Sequence, residues 1–370
     1  MDLRCEFVLL AAQEEVSFSD LCRRFGISRP TGYKWRRRYR AEGAAGLVDR
    51  SRRPQTSPDR TPPAIEDAVL AVREQHPSWG GRKIKAFLAR QGQDGLPSPS
   101  TITRILDRHG RLEEPAASRQ GPYQRFEAAA PNDLWQIDFK GHFALEEGRC
   151  HPLSVLDDHS RYLLGLVACG EEGRHTVQSQ LVRLFERYGL PRRMLSDNGS
   201  PWGAPGSGGR TTLEVWLLQL GVTLSHGRPG HPQTQGKVER FHRTLKAELV
   251  SGACFPDLAA CQVAFDRWRL HYNTERPHDA LGLEVPLSRY RPSPRIYSGQ
   301  VPVLDYAPED VVRTVKADGF VAYQGSHYRV GKGWRGQRVA LRPTRDPQVI
   351  QVYLGRHFIT DLDLNIDRRV

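Results

Sequence analysis

The middle of this chain, from Trp135 onward, alternates short apolar runs with amphipathic stretches. Three strands are indicated by the runs LWQIDFKGHFAL, HPLSVLDDHS and RYLLGLVACG, and an amphipathic helix is indicated by HTVQSQLVRLFERYG. A short strand in RRMLSDNG, a helix in TTLEVWLLQLG, a fifth strand in VTLSH and a helix in QGKVERFHRTLKAELV follow. This order of elements predicts an α/β core with a mixed five-stranded sheet at residues 131–294.

Residues 1–55 have the layout of a helix-turn-helix module. A first helix ends at Gly26, and Ser28 can cap a second helix with Pro30 in its first turn, where a missing N–H costs nothing. Five of the seven residues in Lys34–Arg40 are basic, which favours DNA binding over a merely solvated charged face. The predicted major-groove contacts are Arg29, Thr31, Tyr33, Lys34 and Arg37.

Residues 56–112 show a similar pattern of predicted helices with basic outward faces. The spacing of their apolar residues predicts three helices, the third capped by Ser98 and carrying Arg104 and Arg108 on its outward face. We interpret this region as a second helix-turn-helix-like module that binds DNA, and residues 113–130 as a linker. The alternative is a three-helix unit that binds no DNA.

Residues 295–370 consist of short alternating segments separated by Gly, Asp or Pro turns. This pattern predicts a small β-barrel. Its outward basic residues suit a DNA backbone, although a purely stabilising or dimer-contacting domain is an almost equal alternative. The expected fold is therefore multidomain, with all-α helix-turn-helix modules, an α/β core and a small β-barrel in chain order.

The chain of 370 residues carries a formal net charge of +12, which predicts an anionic partner. The charge is distributed unevenly, because residues 1–130 carry +7, residues 131–294 carry +1 and residues 295–370 carry +4. Basic arms around a nearly neutral core are typical of an enzyme that acts on nucleic acid.

Several other classes of protein are excluded. The longest apolar runs, Phe7–Ala12 and Leu163–Cys169, are far shorter than the roughly 20 residues of a membrane span. The start MDLRCEF lacks the pattern of a signal peptide, so export is not expected. The six cysteines are scattered without a CxxC pair, which argues against a disulfide scaffold or a four-ligand zinc site. We expect a cytoplasmic, nucleoid-associated protein with reduced thiols and no membrane partner.

Three carboxylates stand out by their positions. Asp138 lies inside the first apolar strand, where a charge is costly unless something binds it. Asp197 ends the fourth strand, and Glu239 lies beside the apolar stripe of the last helix of the core. Such hard oxygen ligands suit Mg²⁺, and two such ions about 3.5–4 Å apart serve an in-line phosphoryl displacement. All three carboxylates are expected to be ionised at neutral pH, because the usual pKa is about 4.

The sequence around these carboxylates is more specific than the carboxylates themselves. The segments WQIDF, LSDNGSPWG and GHPQTQGKVERFHRTLKAEL resemble the catalytic core of retroviral integrases and DDE-type insertion-sequence transposases. A later segment, YNTERPHDALG, is similar to the family's sequence after the Glu helix. The resemblance implies an RNase H-like fold, two divalent metal ions (Mg²⁺, with Mn²⁺ as a substitute) and cut-and-join chemistry on transposon ends. It also implies that Asp138, Asp197 and Glu239 are the catalytic, metal-binding triad.

Two features near the triad have ordinary interpretations. The interval of 42 residues between the second and third carboxylates is somewhat longer than is usual in the family, and the excess maps onto Gly203–Arg210. Loops tolerate such polar insertions at little cost, which leaves the triad intact. Asp157 and Asp158 lie at a turn between two strands, where Asp is common, and metal contact is the lesser alternative there. His242 is expected to be partly buried and not catalytic.

Further DNA contacts are expected around the last helix of the core. Lys237 at the start of this helix is the favoured phosphate contact, supported by the helix dipole. Arg243 and Lys246 extend a basic track along the helix, although Glu239 and Arg243 at i,i+4 can form a plain surface pair instead. The remaining candidates, in the preceding loop, are His231 and Gln233.

Together these features predict a DNA transposase, a polynucleotidyl transferase with the inverted repeats of its own element and target DNA as partners. It would cleave a transposon end to leave a 3′-OH and then join that 3′-OH to target DNA. Pairing two ends requires at least two protomers, so a homo-oligomer on DNA is expected. The alternatives are a metal-dependent endonuclease of the same fold that cuts without joining, and a non-catalytic DNA-binding regulator. An intact triad argues against the regulator.

Overall fold

The structure is a computed structural model that describes residues 3–13, 15–50, 61–112, 127–203, 209–227 and 236–365, together with the backbone of residues 368–369. The chain divides into two compact units, residues 1–61 and residues 62–370. The finer division into five segments, with boundaries at residues 55, 112, 130 and 294, stays a prediction.

The described part of the first unit contains helices α1 (Leu3–Gln13), α2 (Phe18–Arg24) and α3 (Arg29–Glu42) and a short 3-10 helix (Gly43–Leu47). As predicted, Ser28 caps α3 and Pro30 lies in its first turn. Gly26 has a φ of +63°, and the N–H of Ile27 donates to the carbonyl of Cys22 over 3.0 Å. This left-handed turn ends α2 and leads into α3, the geometry of a helix-turn-helix.

The core of this unit forms where α3 crosses the two preceding helices. Its centre includes Phe7 and Cys22, and Trp35 packs against it. Gly32 allows the close approach of α3, because a Cβ at this position would lie 2.8 Å from the Sγ of Cys22. The apolar side of α3 is therefore buried, and its basic side is left to face outward.

The second unit begins with three helices, α4 (Pro63–Gln75), α5 (Gly81–Arg90) and α6 (Pro99–Arg108). Ser98 caps α6 as predicted. Val69, Ile84 and Ile102 are fully buried between the helices, together with the indole of Trp79 in the turn before α5. These three helices are referred to below as the second arm.

The second arm docks on the core of the same unit through α5 and the turn that precedes it. The guanidinium of Arg90 donates to the carbonyls of Glu275 and Leu283 over 3.0 and 2.9 Å. The ring of His76 stacks on Trp79 at 3.9 Å and on His271 of the core at 4.8 Å between centroids. Backbone acceptors and stacked rings thus hold the arm in one position.

The core sheet has six strands among the described residues: β1 (Leu134–Phe139), β2 (Phe143–Ala144), β3 (Arg149–Asp157), β4 (Leu163–Cys169), β5 (Arg193–Ser196) and β6 (Thr223–His226). β3 is antiparallel to β1, β2 and β4, whereas β1, β5 and β6 are parallel to one another. The prediction of five strands is corrected to six. The first predicted strand breaks at Gly141, whose φ is +80°, and the short β2 follows the break.

Helices cover both faces of this sheet. One face packs on α7 (Arg174–Tyr188) and α8 (Thr212–Gln219), and the other on α9 (Gly236–Leu245) and α10 (Leu258–Thr274). A π-turn (Lys246–Val250) follows α9, and a 3-10 turn (Asp279–Leu281) and α11 (Pro286–Arg289) follow α10. Among the described residues, no helix combines the length and apolar character needed to cross a bilayer.

The carboxy-terminal region is all-β, but the predicted small barrel is not confirmed. Its strands are β7 (Val311–Thr314), β8 (Phe320–Tyr323), β9 (Ser326–Arg329), β10 (Arg338–Pro343), β11 (Val349–Leu354), β12 (His357–Asp363) and β13 (Arg368–Arg369). They form one sheet in the order β12-β11-β10-β7 and another in the order β13-β9-β8. Within the described residues the two sheets share a core but no hydrogen-bonded strand pair closes them.

Candidate metal centre and nucleic-acid interface

Asp138 lies on the face of β1 that α9 covers, and its side chain is 19% exposed. Burial, together with neighbouring negative charges, raises the pKa of this carboxyl to about 7. A hydrogen bond from the backbone of Phe139 acts in the opposite direction and lowers the pKa. The contributing charges, in decreasing order, are those of Asp197, Glu172 and Glu239. The expectation that all three predicted ligands titrate near 4 is therefore wrong for Asp138, because its pKa lies far above the usual range of an aspartate.

Asp197 directly follows β5, the parallel neighbour of β1. β1 and β5 are parallel, and their register pairs Gln136 with Leu195. Asp138 and Asp197 each come two residues later, so continuing this register places them opposite each other. The carboxylate of Asp197 lies over Gly199, where an added Cβ would be 3.0 Å from Oδ2. Within the described residues, Oδ1 of Asp197 is buried and accepts no hydrogen bond. A buried oxygen of this kind is costly unless another group binds it.

Glu239 lies exposed on α9, beside the stripe that covers the sheet. The buried residues of this stripe are Val238, Phe241 and Leu245, as predicted. His242 fixes the helix to the sheet, because its Nε2 lies 2.7 Å from the Oγ of Ser154 and its Nδ1 lies 3.9 Å from Oδ2 of Asp138. Burial, and next the charge of Lys140, lower the pKa of His242 to about 4, so this histidine is neutral at pH 7.

The carboxylates of this site fit a divalent cation in two respects. Their oxygens are the donors that Mg²⁺ prefers. A cation would also return the raised pKa of Asp138 toward its usual value and give the buried Oδ1 of Asp197 a partner. Among the described residues, however, no group of three or more His, Cys, Asp or Glu side chains is already arranged to hold a metal ion. The triad of Asp138, Asp197 and Glu239 therefore stays a prediction.

Lys237, the favoured phosphate contact, has a different partner in the structure. Its Nζ lies 2.5 Å from Oδ1 of Asp158, and its side chain is 17% exposed. Burial lowers the pKa of this ammonium, and the hydrogen bond to Asp158 opposes that shift. Asp158 is fully buried, whereas the sequence predicted an ordinary turn residue. The sequence carries no local signal for this contact, because the two residues lie 79 positions apart.

A groove of about 380 Å³ separates α9 from the second arm. The charged residues in its lining are Lys83, Arg240, Arg243, Glu248 and Arg276. Arg276 binds Glu248 through contacts of 2.8–3.0 Å, and Lys83 lies 3.8 Å from Oδ2 of Asp279, which leaves Arg240 and Arg243 in excess. Arg240 and Arg243 are exposed, and within the described residues neither forms an ion pair, so the alternative Glu239–Arg243 surface pair is absent. Four cations against one carboxylate make this groove suited to an anion.

Of the three other contacts predicted in the core, the structure describes one, Lys246. Lys246 is exposed at the start of the π-turn, and its charge, after burial, lowers the pKa of Lys140. Lys140 lies two positions after Asp138, so the basic surface reaches the edge of the carboxylate site. His231 and Gln233 lie outside the described residues.

In the first unit the predicted contacts lie along α3. Arg29, Tyr33, Lys34 and Arg37 are exposed, and Thr31 is partly buried with its Oγ1 2.8 Å from the Oγ of Ser28. A concave surface of about 390 Å³ follows this helix, lined by Pro30, Tyr33, Lys34, Arg36, Arg37 and Arg40. Four of these six residues are cations, which suits a phosphate backbone.

The predicted contacts of the second arm differ from one another. Arg104 is exposed on α6. Arg108 donates to the buried carboxylate of Glu66 over 2.5 Å, and His109 lies 3.6 Å from the same oxygen. The structure thus gives Arg108 a structural partner, and the buried Glu66 on α4 was not singled out from the sequence.

Models of known protein domains match successive parts of the chain, and their order agrees with the order of the helical, α/β and all-β regions in the structure. A helix-turn-helix domain matches residues 3–55, and a homeodomain-like domain matches residues 31–106. Two models of the integrase core domain match residues 128–232 and 220–286. The C-terminal domain of IS481 family transposases matches residues 310–369. The fold and these matches show amino-terminal helix-turn-helix domains followed by an integrase-like core.

Comparison with whole proteins narrows this class. The chain is 27% identical over 234 residues to the insertion element IS407 uncharacterized 31.7 kDa protein of Burkholderia multivorans, which covers 60% of this chain and 81% of the relative. It is 29% identical over 242 residues to the transposase InsD for insertion element IS2D of Escherichia coli, covering 60% and 78%. The domain models and these relatives confirm the predicted resemblance to insertion-sequence transposases with a retroviral-integrase-like core.

A solved structure with a similar chain is the simian T-cell lymphotropic virus intasome in complex with PP2A regulatory subunit B56 gamma. The likeness has a TM-score of 0.38 at 16% sequence identity, and it covers 78% of this chain and 97% of the viral chain.

Proposed function

We propose that this protein is a DNA transposase that cleaves at the ends of its own element and joins the resulting 3′-OH to target DNA. The observation that carries the proposal is the pKa of Asp138, which is raised to about 7 first by burial and then by the charge of Asp197, with smaller contributions from Glu172 and Glu239. Like charges brought together in this way need a cation. The relatedness to insertion-sequence transposases supports the same activity.

Asp138, Asp197 and Glu239 would hold two Mg²⁺ ions, with Mn²⁺ as a substitute. When bound, such ions supply Lewis acidity at both the attacking and the leaving oxygen of an in-line phosphoryl displacement. The parallel pairing of β1 with β5 supports a position of Asp138 beside Asp197, and α9 would bring Glu239 to them. Neutral His242 positions α9 through Ser154 and is no proton carrier at pH 7.

DNA would be bound by two basic surfaces. The exposed face of α3 would read the inverted repeats through Arg29, Lys34 and Arg37. The groove between α9 and the second arm would hold a backbone phosphate next to the carboxylates, because Arg243 lies one helical turn after Glu239. Because two transposon ends must be brought together, the active form would be a homo-oligomer on DNA.

The test combines purified protein and Mg²⁺ with DNA that flanks the gene and a target plasmid. Asp197→Asn and Glu239→Gln are compared with the wild type and with Glu186→Gln, which removes an exposed carboxylate from α7. We expect joined donor–target molecules from the wild type and from Glu186→Gln alone. Joining that persists in Asp197→Asn or Glu239→Gln would reject the site. Cleavage without joining would instead identify a nuclease, and binding without chemistry would identify a regulator.

A further inference from the structure

A buried ion pair connects the turn after β3 to the first turn of α9. The carboxylate of Asp158 is fully buried, and its Oδ1 accepts hydrogen bonds from the Nζ of Lys237 at 2.5 Å and from the Nε2 of Gln136 at 2.7 Å. Its Oδ2 accepts a hydrogen bond from the backbone N–H of Ala128 over 2.7 Å. These three hydrogen bonds come from parts of the chain distant in sequence, so the pair ties α9 to the sheet.

The Lys237–Asp158 pair is one of two attachments that hold α9 on the two sides of Glu239. Asp158 lies beside the start of β1, since its N–H donates to the carbonyl of Leu134 over 2.9 Å. Lys237 is therefore held near the start of β1, and His242 is held by Ser154, the register partner of Asp138, further along β1. These two attachments are five residues apart, about 7.5 Å along a helix. Glu239 lies between them.

The same geometry argues against a phosphate contact for Lys237. An ammonium that turned toward DNA would leave the buried carboxylate of Asp158 without its nearest cation among the described residues, with Arg161 at 4.0 Å as the next one there. Removing one partner of a buried pair is costly because the other charge stays buried. Arg240 and Arg243, which are exposed on the same helix, bear no such cost.

We infer that Lys237 and Asp158 are positioning residues that hold Glu239 in line with Asp138 and Asp197. The inference rests on the proposed function for the meaning of that alignment. Substitution of a residue that orients a metal-binding carboxylate lowers metal affinity, typically by a factor of about 10–100. Substitution of a residue that binds phosphate lowers DNA affinity and changes its salt dependence. The two roles therefore separate experimentally.

The experiment measures Mn²⁺ affinity by calorimetry on the full-length protein without DNA, well below its melting temperature. The variants are Lys237→Met, Asp158→Asn, the double substitution and Lys237→Arg. Arg183→Met, which removes an exposed cation from α7, is the control. We expect each single substitution to weaken Mn²⁺ binding by about 10–100-fold and the double substitution to add little. Lys237→Arg should recover most of the affinity, and the control should match the wild type.

Hydrogen exchange gives a second readout. Amide exchange in residues 236–245 should accelerate in Lys237→Met and in Asp158→Asn, with exchange in α10 unchanged. Unchanged Mn²⁺ affinity in Lys237→Met, combined with weaker DNA binding that Asp158→Asn does not share, would overturn the inference. If Lys237→Met does not fold, Asp158→Asn carries the same test. Neither readout needs DNA joining, so a wild type that fails to join rejects the transposase proposal without deciding this one.

Discussion

In the first unit two of the predicted DNA-contacting cations of α3 face outward, whereas in the second arm several cations contact protein. Lys34 and Arg37 are exposed, and within the described residues neither forms an ion pair. In the second arm Arg90 binds carbonyls of the core and Arg108 binds Glu66. The same helical layout thus leaves one region able to read DNA and attaches the other beside the carboxylate site. Basic content alone does not separate the two uses, because both regions are basic.

The largest expected effect tests the attachment of the second arm. Trp79→Ala removes a fully buried indole that packs between the arm and His271, and should cost about 3–5 kcal/mol of stability. Calorimetry of the full chain should show a lower melting temperature for the transition of residues 62–370. Trp35→Ala, in the first unit, is the matched control and should not change the melting temperature of that transition. An unchanged transition in Trp79→Ala would mean that the arm and the core are not coupled.

The next effect tests DNA reading by the first unit. Lys34→Ala combined with Arg37→Ala should weaken binding to the inverted repeat by about 10–100-fold and reduce the salt slope by about two. Fluorescence anisotropy over a range of salt concentrations measures both quantities. Arg23→Ala with Arg24→Ala, which removes two exposed cations from α2, supplies a control matched in charge. Equal losses in the two double variants would indicate general electrostatics without a reading helix.

A smaller effect distinguishes the two predicted contacts on α6. Arg108→Gln should lower stability by about 1 kcal/mol, because it removes a partner of the buried Glu66 while its own side chain is partly exposed. Arg104→Gln, one turn earlier and exposed, should leave stability unchanged and reduce DNA affinity only slightly. Denaturant midpoints and anisotropy measure the two effects. The reverse assignment, with Arg104 stabilising and Arg108 binding, would contradict the comparison.

The smallest effect concerns pH. Burial, and then the charge of His271, lower the pKa of His76 from 6.5 to about 4, so the unfolded chain binds the proton more readily than the folded chain. Stability should therefore be complete above about pH 6.5 and fall progressively as the pH drops toward 4. Melting temperatures of the wild type and His76→Gln across this window should converge at low pH, whereas the exposed His175→Gln should follow the wild type. Parallel curves for His76→Gln and the wild type would count against this assignment.

Much of the fold follows from local patterns. Ser28 and Ser98 cap the predicted helices, because a short side-chain oxygen satisfies exposed backbone donors wherever a helix starts. Strands also form within the short alternating segments of the carboxy-terminal region, as the pattern predicted. Their assembly into two open sheets was not predictable, since alternation defines the faces of a strand and not its neighbours.

For the site, the sequence by itself determined two things. Segments such as WQIDF and LSDNGSPWG carry the resemblance to insertion-sequence transposases, and the apolar strands and helices around Asp138, Asp197 and Glu239 place these candidate carboxylates at the ends and edges of elements. Only the tertiary structure decided the pKa of Asp138 and the contacts that hold α9, which carries Glu239, on the sheet. The raised pKa of Asp138 comes from burial and from charges brought close by folding. The pairing of Lys237 with Asp158 joins residues 79 positions apart. Local pattern fixes which way a side chain faces, whereas burial and long-range contacts depend on how the elements pack.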